Sequence, residues 1–127
     1  MNYLLDTHTF LWYVDGSPIL PSKTKQLIQN AGSAKFLSIA SLWEIAIKAG
    51  KDKLLLTRPF ETLPEYMEVN EFILLPIHTK HLFELKELPH HHGDPFDRLI
   101  IAQAITESLT ILSADRQFKD YPVTVVW

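Results

Sequence analysis

The chain has 127 residues, enough to bury a hydrophobic core without staples, and is expected to form one domain over residues 1–127. Hydrophobic residues make up 46% and charged residues 21%, which excludes a disordered chain. The lack of cysteine excludes a disulfide framework and a thiolate metal site.

The opening Asn2-Tyr3-Leu4-Leu5 is a short apolar run that ends in Asp6-Thr7, with Phe10, Leu11 and Val14 following at helical spacing. Strand, tight turn and helix are predicted. Nothing here has the basic, apolar, small-residue order of a secretory signal, and no apolar run nears the roughly 20 residues that span a bilayer. A cytoplasmic protein without a membrane partner is expected.

Gly16-Ser17-Pro18 and Pro21 interrupt the chain before Ser22, which is placed to cap a second helix through about Asn30 with Leu27 and Ile28 inward. Lys35 to Ile39 is a second predicted strand. Ser41 and Glu44 stand at capping-box spacing and open an apolar helix that stops near Gly50. Leu54 to Pro59 is a loop or short extension, and Thr62 with Glu65 repeats the capping-box spacing at the head of a helix to Asn70. Phe72 to Leu75 is a third strand, followed by a helix from Thr79 to about Leu85.

After the polar insert Pro89-His90-His91-His92-Gly93, Asp94 is placed to cap a helix with Pro95 at its first position, running to about Ser108. Thr110 to Leu112 is a fourth strand, ending at Ser113-Ala114-Asp115, and Val123 to Val126 a fifth. Strands alternating with helices predict an α/β fold with a mainly parallel sheet covered on both faces.

Four carboxylates stand out in that arrangement. Asp6 and Asp115 fall just past the carboxyl ends of predicted strands, where open α/β sheets bind ligands. Glu44 and Asp97 fall in the first turns of predicted helices that begin near the same edge. Singly, each has a structural explanation: Asp6 as a helix cap, Glu44 as half of a capping box, Asp97 as an acid at a helix N-terminus. Asp97 fits its explanation least well, because Phe96 and Leu99-Ile100-Ile101-Ala102 make the surrounding helix look buried, and buried carboxylates are uncommon unless paired or ligated.

Gathering like charges costs stability, and an oxygen-only ligand set favours Mg²⁺ or Mn²⁺ over zinc. Such a centre suits phosphodiester hydrolysis. The net charge of −3, from 15 acidic and 12 basic residues, argues at first against a nucleic-acid partner. With the four carboxylates set aside the rest of the surface is close to neutral, and a bound cation reverses the sign of the site.

Four blocks carry a family resemblance: Tyr3-Leu4-Leu5-Asp6-Thr7-His8, Ser41-Leu42-Trp43-Glu44-Ile45-Ala46-Ile47-Lys48, the run from His92-Gly93-Asp94-Pro95-Phe96-Asp97-Arg98 to Ala104, and Leu112-Ser113-Ala114-Asp115. Together, and in this order, they resemble the PIN domain, specifically the VapC toxins. The resemblance spans nearly the whole chain. It implies a three-layer α/β/α sandwich around a five-stranded sheet, Mg²⁺ or Mn²⁺ at the acids, endoribonuclease activity on RNA, a homodimer, and restraint by a small antitoxin protein. Asp6, Glu44, Asp97 and Asp115 match the family's catalytic, metal-binding acids, and Ser113 its small hydroxyl beside the metal.

Asp94 and Thr7 join Ser113 as candidates for the layer behind the acids. Lys48, Arg98 and Arg116 lie close in sequence to the acids and are candidate RNA contacts, with solvated charge as the plain alternative. The His90-His91-His92 run is read as a solvated loop rather than a zinc site, because adjacent loop residues rarely point at one ion. Trp12, Trp43 and Phe10 are read as core or partner contacts, and Trp12 and Trp43 as lining for an antitoxin groove.

Two other classes begin similarly. An aspartate-based phosphatase needs a second Asp two residues after the first, where His8 stands. A phospho-receiver needs an Asp after its third strand, where Pro76-Ile77 stands. A catalytically inactive PIN-like binding module is the remaining alternative.

Overall fold

The computed structural model describes residues 1–127. Five parallel strands form one sheet: β1 (Tyr3–Leu5), β2 (Lys35–Ser38), β3 (Phe72–Leu75), β4 (Thr110–Leu112) and β5 (Val125–Val126), in the spatial order β3-β2-β1-β4-β5. The first strand is therefore central. The chain builds outward from it in one direction through β2 and β3, then returns to its other side for β4 and β5. That reversal leaves a crevice between the carboxyl ends of β1 and β4, where α/β sheets receive ligands.

Six helices cover the sheet: α1 (Thr7–Asp15), α2 (Ser22–Gln29), α3 (Ile39–Gly50), α4 (Leu63–Val69), α5 (Thr79–Glu87) and α6 (Pro95–Glu107). Every side chain of β1 is buried, as expected where both faces of a parallel sheet are covered. Leu5 faces a core with Phe10, Leu11, Leu37, Ile45 and Phe72. Leu4 faces the opposite core, with Ile100, Ile101, Ile111 and Phe118. The expected α/β/α sandwich with a parallel five-stranded sheet is what the chain forms. No helix is long and apolar enough to cross a membrane.

Helix ends account for most departures from the sequence reading. Gly16, at φ 63°, takes the left-handed turn that ends α1, a conformation glycine adopts without a Cβ penalty. Asp94 caps α6 as expected, its Oδ1 accepting from the backbone N–H groups of Phe96 and Asp97, with Pro95 in the first turn. The expected capping box at Ser41 and Glu44 does not form. β2 runs into α3 without a loop, so Ser38 takes the cap, accepting from Ala40 N at 3.0 Å, and both proposed box residues lie inside the helix.

Thr62 also lacks its box: it closes a 3₁₀ turn over Phe60–Thr62, and its hydroxyl donates to Pro59 O while accepting from Arg58 Nε. Ser22 is the first residue of α2 and Pro21 occupies the cap position without a side-chain bond. The last strand is shorter than expected, because the chain from Val123 meets β4 in strand register only at Val125 and Val126.

Candidate metal centre

Asp6 follows β1 directly and is buried. Its backbone N–H donates to Leu112 O across the β1–β4 crevice. It sits at the cap position of α1 without capping it. Its Oδ2 instead accepts from Ser113 Oγ at 2.9 Å, and the same oxygen of Ser113 accepts from Asp115 N at 3.0 Å. One serine thus ties together the two acids that end neighbouring strands. Burial raises the Asp6 carboxyl above its ordinary value, opposed by the Ser113 bond.

Glu44 lies in the second turn of α3, not the first, and is 3% exposed. Thr7 Oγ1 donates to Glu44 Oε1 at 2.7 Å. With its one proton so used, Thr7 accepts from Ser41 Oγ at 2.9 Å. Lys48 Nζ sits 2.7 Å from Glu44 Oε2, one turn further along the helix. That bond holds the Lys48 ammonium above its ordinary pKa. Lys48 is therefore paired rather than freely solvated.

Asp97 is in the first turn of α6, and its carboxyl is pushed up to about 8, first by burial and then by Asp6, Asp94, Glu44 and Asp115. Asp115 is half-buried and its Oδ1 accepts from Gln117 N. The carboxylates of Asp6, Glu44, Asp94, Asp97 and Asp115 ring a cavity of about 490 Å³ in which Lys48 is the one lysine or arginine. All four acids singled out in the sequence line this space, with Asp94 beside them.

Other sequence candidates fall elsewhere. Arg98 is 7% exposed; its guanidinium donates to Leu88 O, Pro89 O and the Tyr121 hydroxyl. It acts as an internal tie, with these donors turned toward the protein. A guanidinium beside an acidic sequence block carries no sequence signal of which way it turns. Arg116 is exposed on a 3₁₀ turn, and its neighbour Gln117 lines the cavity instead.

His90 and His91 are exposed as expected, but His92 is packed against Tyr121. Phe10 is core, Trp12 lines the acid cavity, and Trp43 is 55% exposed with its ring edge-on to Phe96. Sequence reasoning missed His8 and Gln117 in the cavity wall. His8 is one helical step past Thr7, which was the available signal.

No three His, Asp or Glu side chains close in tightly enough to hold an ion by direct contact alone. The donor set nevertheless fits a hard divalent cation. Mg²⁺ keeps several of its waters and is bound through one or two carboxylates, which suits oxygen donors spread around a roomy cavity. Burial first, and then the surrounding carboxylates, raise the Asp97 carboxyl, and a bound cation would offset both.

Fold and site together define a parallel α/β/α domain with an acidic, cation-seeking cavity at its topological switch point. The PIN domain family model matches residues 3–123. The chain belongs to the PIN domain family, whose members are generally nucleases and typically use a divalent metal. No curated protein sequence matches the chain.

Among solved structures, VapBC2 from Rickettsia felis bound to a promoter DNA fragment is similar at a TM-score of 0.74 and 18% identity, over 99% of this chain and 98% of that one. DNA-bound VapBC from Salmonella typhimurium is similar at 0.73 and 17% identity, over 99% and 97%. A toxin–antitoxin complex from Klebsiella pneumoniae is similar at 0.67 and 18% identity, over 98% and 96%.

Proposed function

We propose that this chain is a Mg²⁺- or Mn²⁺-dependent endoribonuclease and the toxin of a toxin–antitoxin pair, acting in the cytoplasm. The observation that carries the proposal is the convergence of Asp6, Glu44, Asp97 and Asp115 on one cavity, where burial and the neighbouring carboxylates push the Asp97 carboxyl up to about 8. Carboxylates crowded at a switch point are a stability cost, accepted where they hold a cation.

Asp6, Glu44, Asp97 and Asp115 would hold the ion. A divalent cation there supplies Lewis-acid polarisation of a phosphoryl oxygen and lowers the pKa of a nearby water. The protein's part is orientation. Ser113 fixes Asp6, Thr7 fixes Glu44, and Asp94 spends its Oδ1 on the helix N-terminus that carries Asp97. Lys48, at the cavity wall and paired with Glu44, would turn to a phosphate of the incoming RNA once a cation neutralises that acid.

The antitoxin proposal draws on a second concavity of about 340 Å³ between α1 and α2, lined by Trp12, Tyr13, Pro18 and Leu20. Trp12 belongs to both spaces. An amphipathic antitoxin segment anchored there would reach the acids with a guanidinium, which pairs with carboxylates and competes with the cation. Trp43 does not line this groove. For the homodimer, Ile73 and Leu74 of edge strand β3 and Phe83 of α5 are exposed apolar side chains that a second copy would cover.

The test is cleavage of RNA by purified protein with Mg²⁺ or Mn²⁺, against chelator and against Asp97→Asn. Cleavage that needs the metal and is lost in the variant supports the proposal; cleavage indifferent to both overturns it.

A further inference from the structure

Each acid of the cavity receives a hydrogen bond on its carboxylate, with one exception. Asp6 takes Ser113, Glu44 takes Thr7 and Lys48, Asp94 takes two backbone N–H groups, and Asp115 takes Gln117 N. The Asp97 carboxylate has no such donor. The polar atom that faces it is His92 Nε2, 3.5 Å from Asp97 Oδ2. Nε2 is itself buried and without a hydrogen-bond partner. An unused ring nitrogen and an unsupported carboxylate thus face each other slightly beyond bonding distance.

The surroundings decide which atom of that ring carries the proton. The Tyr121 hydroxyl contacts Arg98 Nη1 at 3.1 Å, His92 N at 3.2 Å and His92 Nδ1 at 2.8 Å. Guanidinium and backbone N–H only donate, so between them they occupy both lone pairs of the hydroxyl oxygen. The hydroxyl proton must then go to His92 Nδ1, which is left as an acceptor. The proton of the neutral ring sits on Nε2 and points at Asp97. Arg98 also holds the carbonyls of Leu88 and Pro89, so the chain leading to His92 is anchored at both ends of this relay.

We propose that His92 is a positioning residue of the metal centre: Tyr121 and Arg98 lock it as the Nε2–H tautomer so that it donates to Asp97 Oδ2 and orients that carboxylate toward the cation. The inference rests on the metal-centre proposal above. Outer donors of this kind commonly change metal affinity by about tenfold to a hundredfold when removed.

The experiment has two arms. In the first, metal-free protein labelled with ¹⁵N-histidine is examined by long-range ¹H–¹⁵N correlation, with the His92 signals among the six histidines assigned by their loss in His92→Asn. An Nε2–H tautomer is expected; an Nδ1–H or doubly protonated ring overturns the inference.

In the second, Mn²⁺ affinity is measured by calorimetry on folded wild type, His92→Asn, His92→Gln and Tyr121→Phe. Asn keeps an acceptor oxygen near the Nδ1 position for the Tyr121 hydroxyl but cannot reach Asp97, so binding weakens about tenfold or more. Gln carries an amide N–H out to the Nε2 position and recovers most of the loss, which a merely structural role for His92 would not allow. Tyr121→Phe releases the tautomer and weakens binding in the same direction.

Wild type that binds Mn²⁺ together with a His92→Asn variant that binds it equally well overturns the inference alone. Wild type that binds no Mn²⁺ overturns the metal centre and the inference with it.

Discussion

Replacing Asp97 by Asn removes one charge from the cavity and leaves the side-chain shape almost unchanged. In the unfolded chain this carboxyl titrates near 3.8, and in the folded protein it is pushed up to about 8. Between those values the native state binds a proton that the unfolded state has released. Wild-type stability therefore falls as pH rises through this window and levels off above about 8. About four pKa units correspond to an upper bound of ~6 kcal/mol at 1.36 kcal/mol per unit.

The Asp97 side chain is 14% exposed, and relaxation and water entry raise the effective dielectric, so ~2 kcal/mol is the expected observable share. For a chain of this size that is roughly 8 °C in melting temperature. The assay is thermal melting of both proteins in chelator from pH 4 to pH 9. The variant should match wild type near pH 4, exceed it increasingly up to pH 8, and hold its lead beyond. RNA cleavage should fall about a hundredfold or more, since several kcal/mol of charge stabilisation are lost. A variant that melts at or below the wild-type temperature at pH 8, with no pH-dependent gap, would refute the reasoning.

Mn²⁺ at a hundredfold excess over its Kd should stabilise wild type by about 2.7 kcal/mol and barely affect the Asp6→Asn, Asp97→Asn double variant; equal shifts in differential scanning fluorimetry would place the ion elsewhere. Arg98→Met should cost about 3 kcal/mol in urea unfolding, because its partners on buried Leu88 and Tyr121, and on Pro89, lose their donor; a cost under ~0.5 kcal/mol would mean the guanidinium is solvated. Lys48→Ala should weaken RNA binding in an Asp97→Asn background and flatten its salt dependence, and unchanged affinity in a filter-binding titration removes Lys48 from the RNA path. Co-expression with a neighbouring small open reading frame should yield a complex whose assembly is weakened by Trp12→Ala, as judged by co-purification.

The sequence carried the strands and the acids well, because both are local. A run such as Tyr3-Leu4-Leu5 followed by Asp6, or Thr110-Ile111-Leu112 followed by Ser113, specifies a buried strand and a polar end without reference to the rest of the chain. Asp94-Pro95 specified a helix start for the same reason. What stayed hidden depends on the sheet order.

Only the central place of β1 between β2 and β4 brings Ser113 onto Asp6, a pair separated by 107 positions, and Thr7 onto Glu44, separated by 37. The capping box at Ser41 failed through competition. Ser38 is an equally good cap, and the direct passage from β2 into α3 selects the earlier serine. The inward bonds of Arg98 stayed hidden because a helix position alone does not say which way a guanidinium turns, and that depends on Tyr121, 23 positions away.

The same placement explains why the acids cannot escape one another. Asp6 is joined to β1, whose three residues are buried, and precedes a helix that buries Phe10. Glu44 adjoins fully buried Ile45, and Asp97 precedes the buried run Arg98 to Ala104. Moving any of these carboxylates outward by an ångström or two would disturb one of two close-packed cores, at a cost comparable to the repulsion relieved. Splaying apart is therefore closed as a route, and two others are left. One is protonation, which the raised Asp97 value already expresses. The other is a divalent cation, which neutralises the crowd without moving it. A cavity built on rigid strand and helix ends, and short of positive charge, is organised in advance for that ion, and its stability without metal should fall with rising pH for the same reason that its affinity for metal should rise.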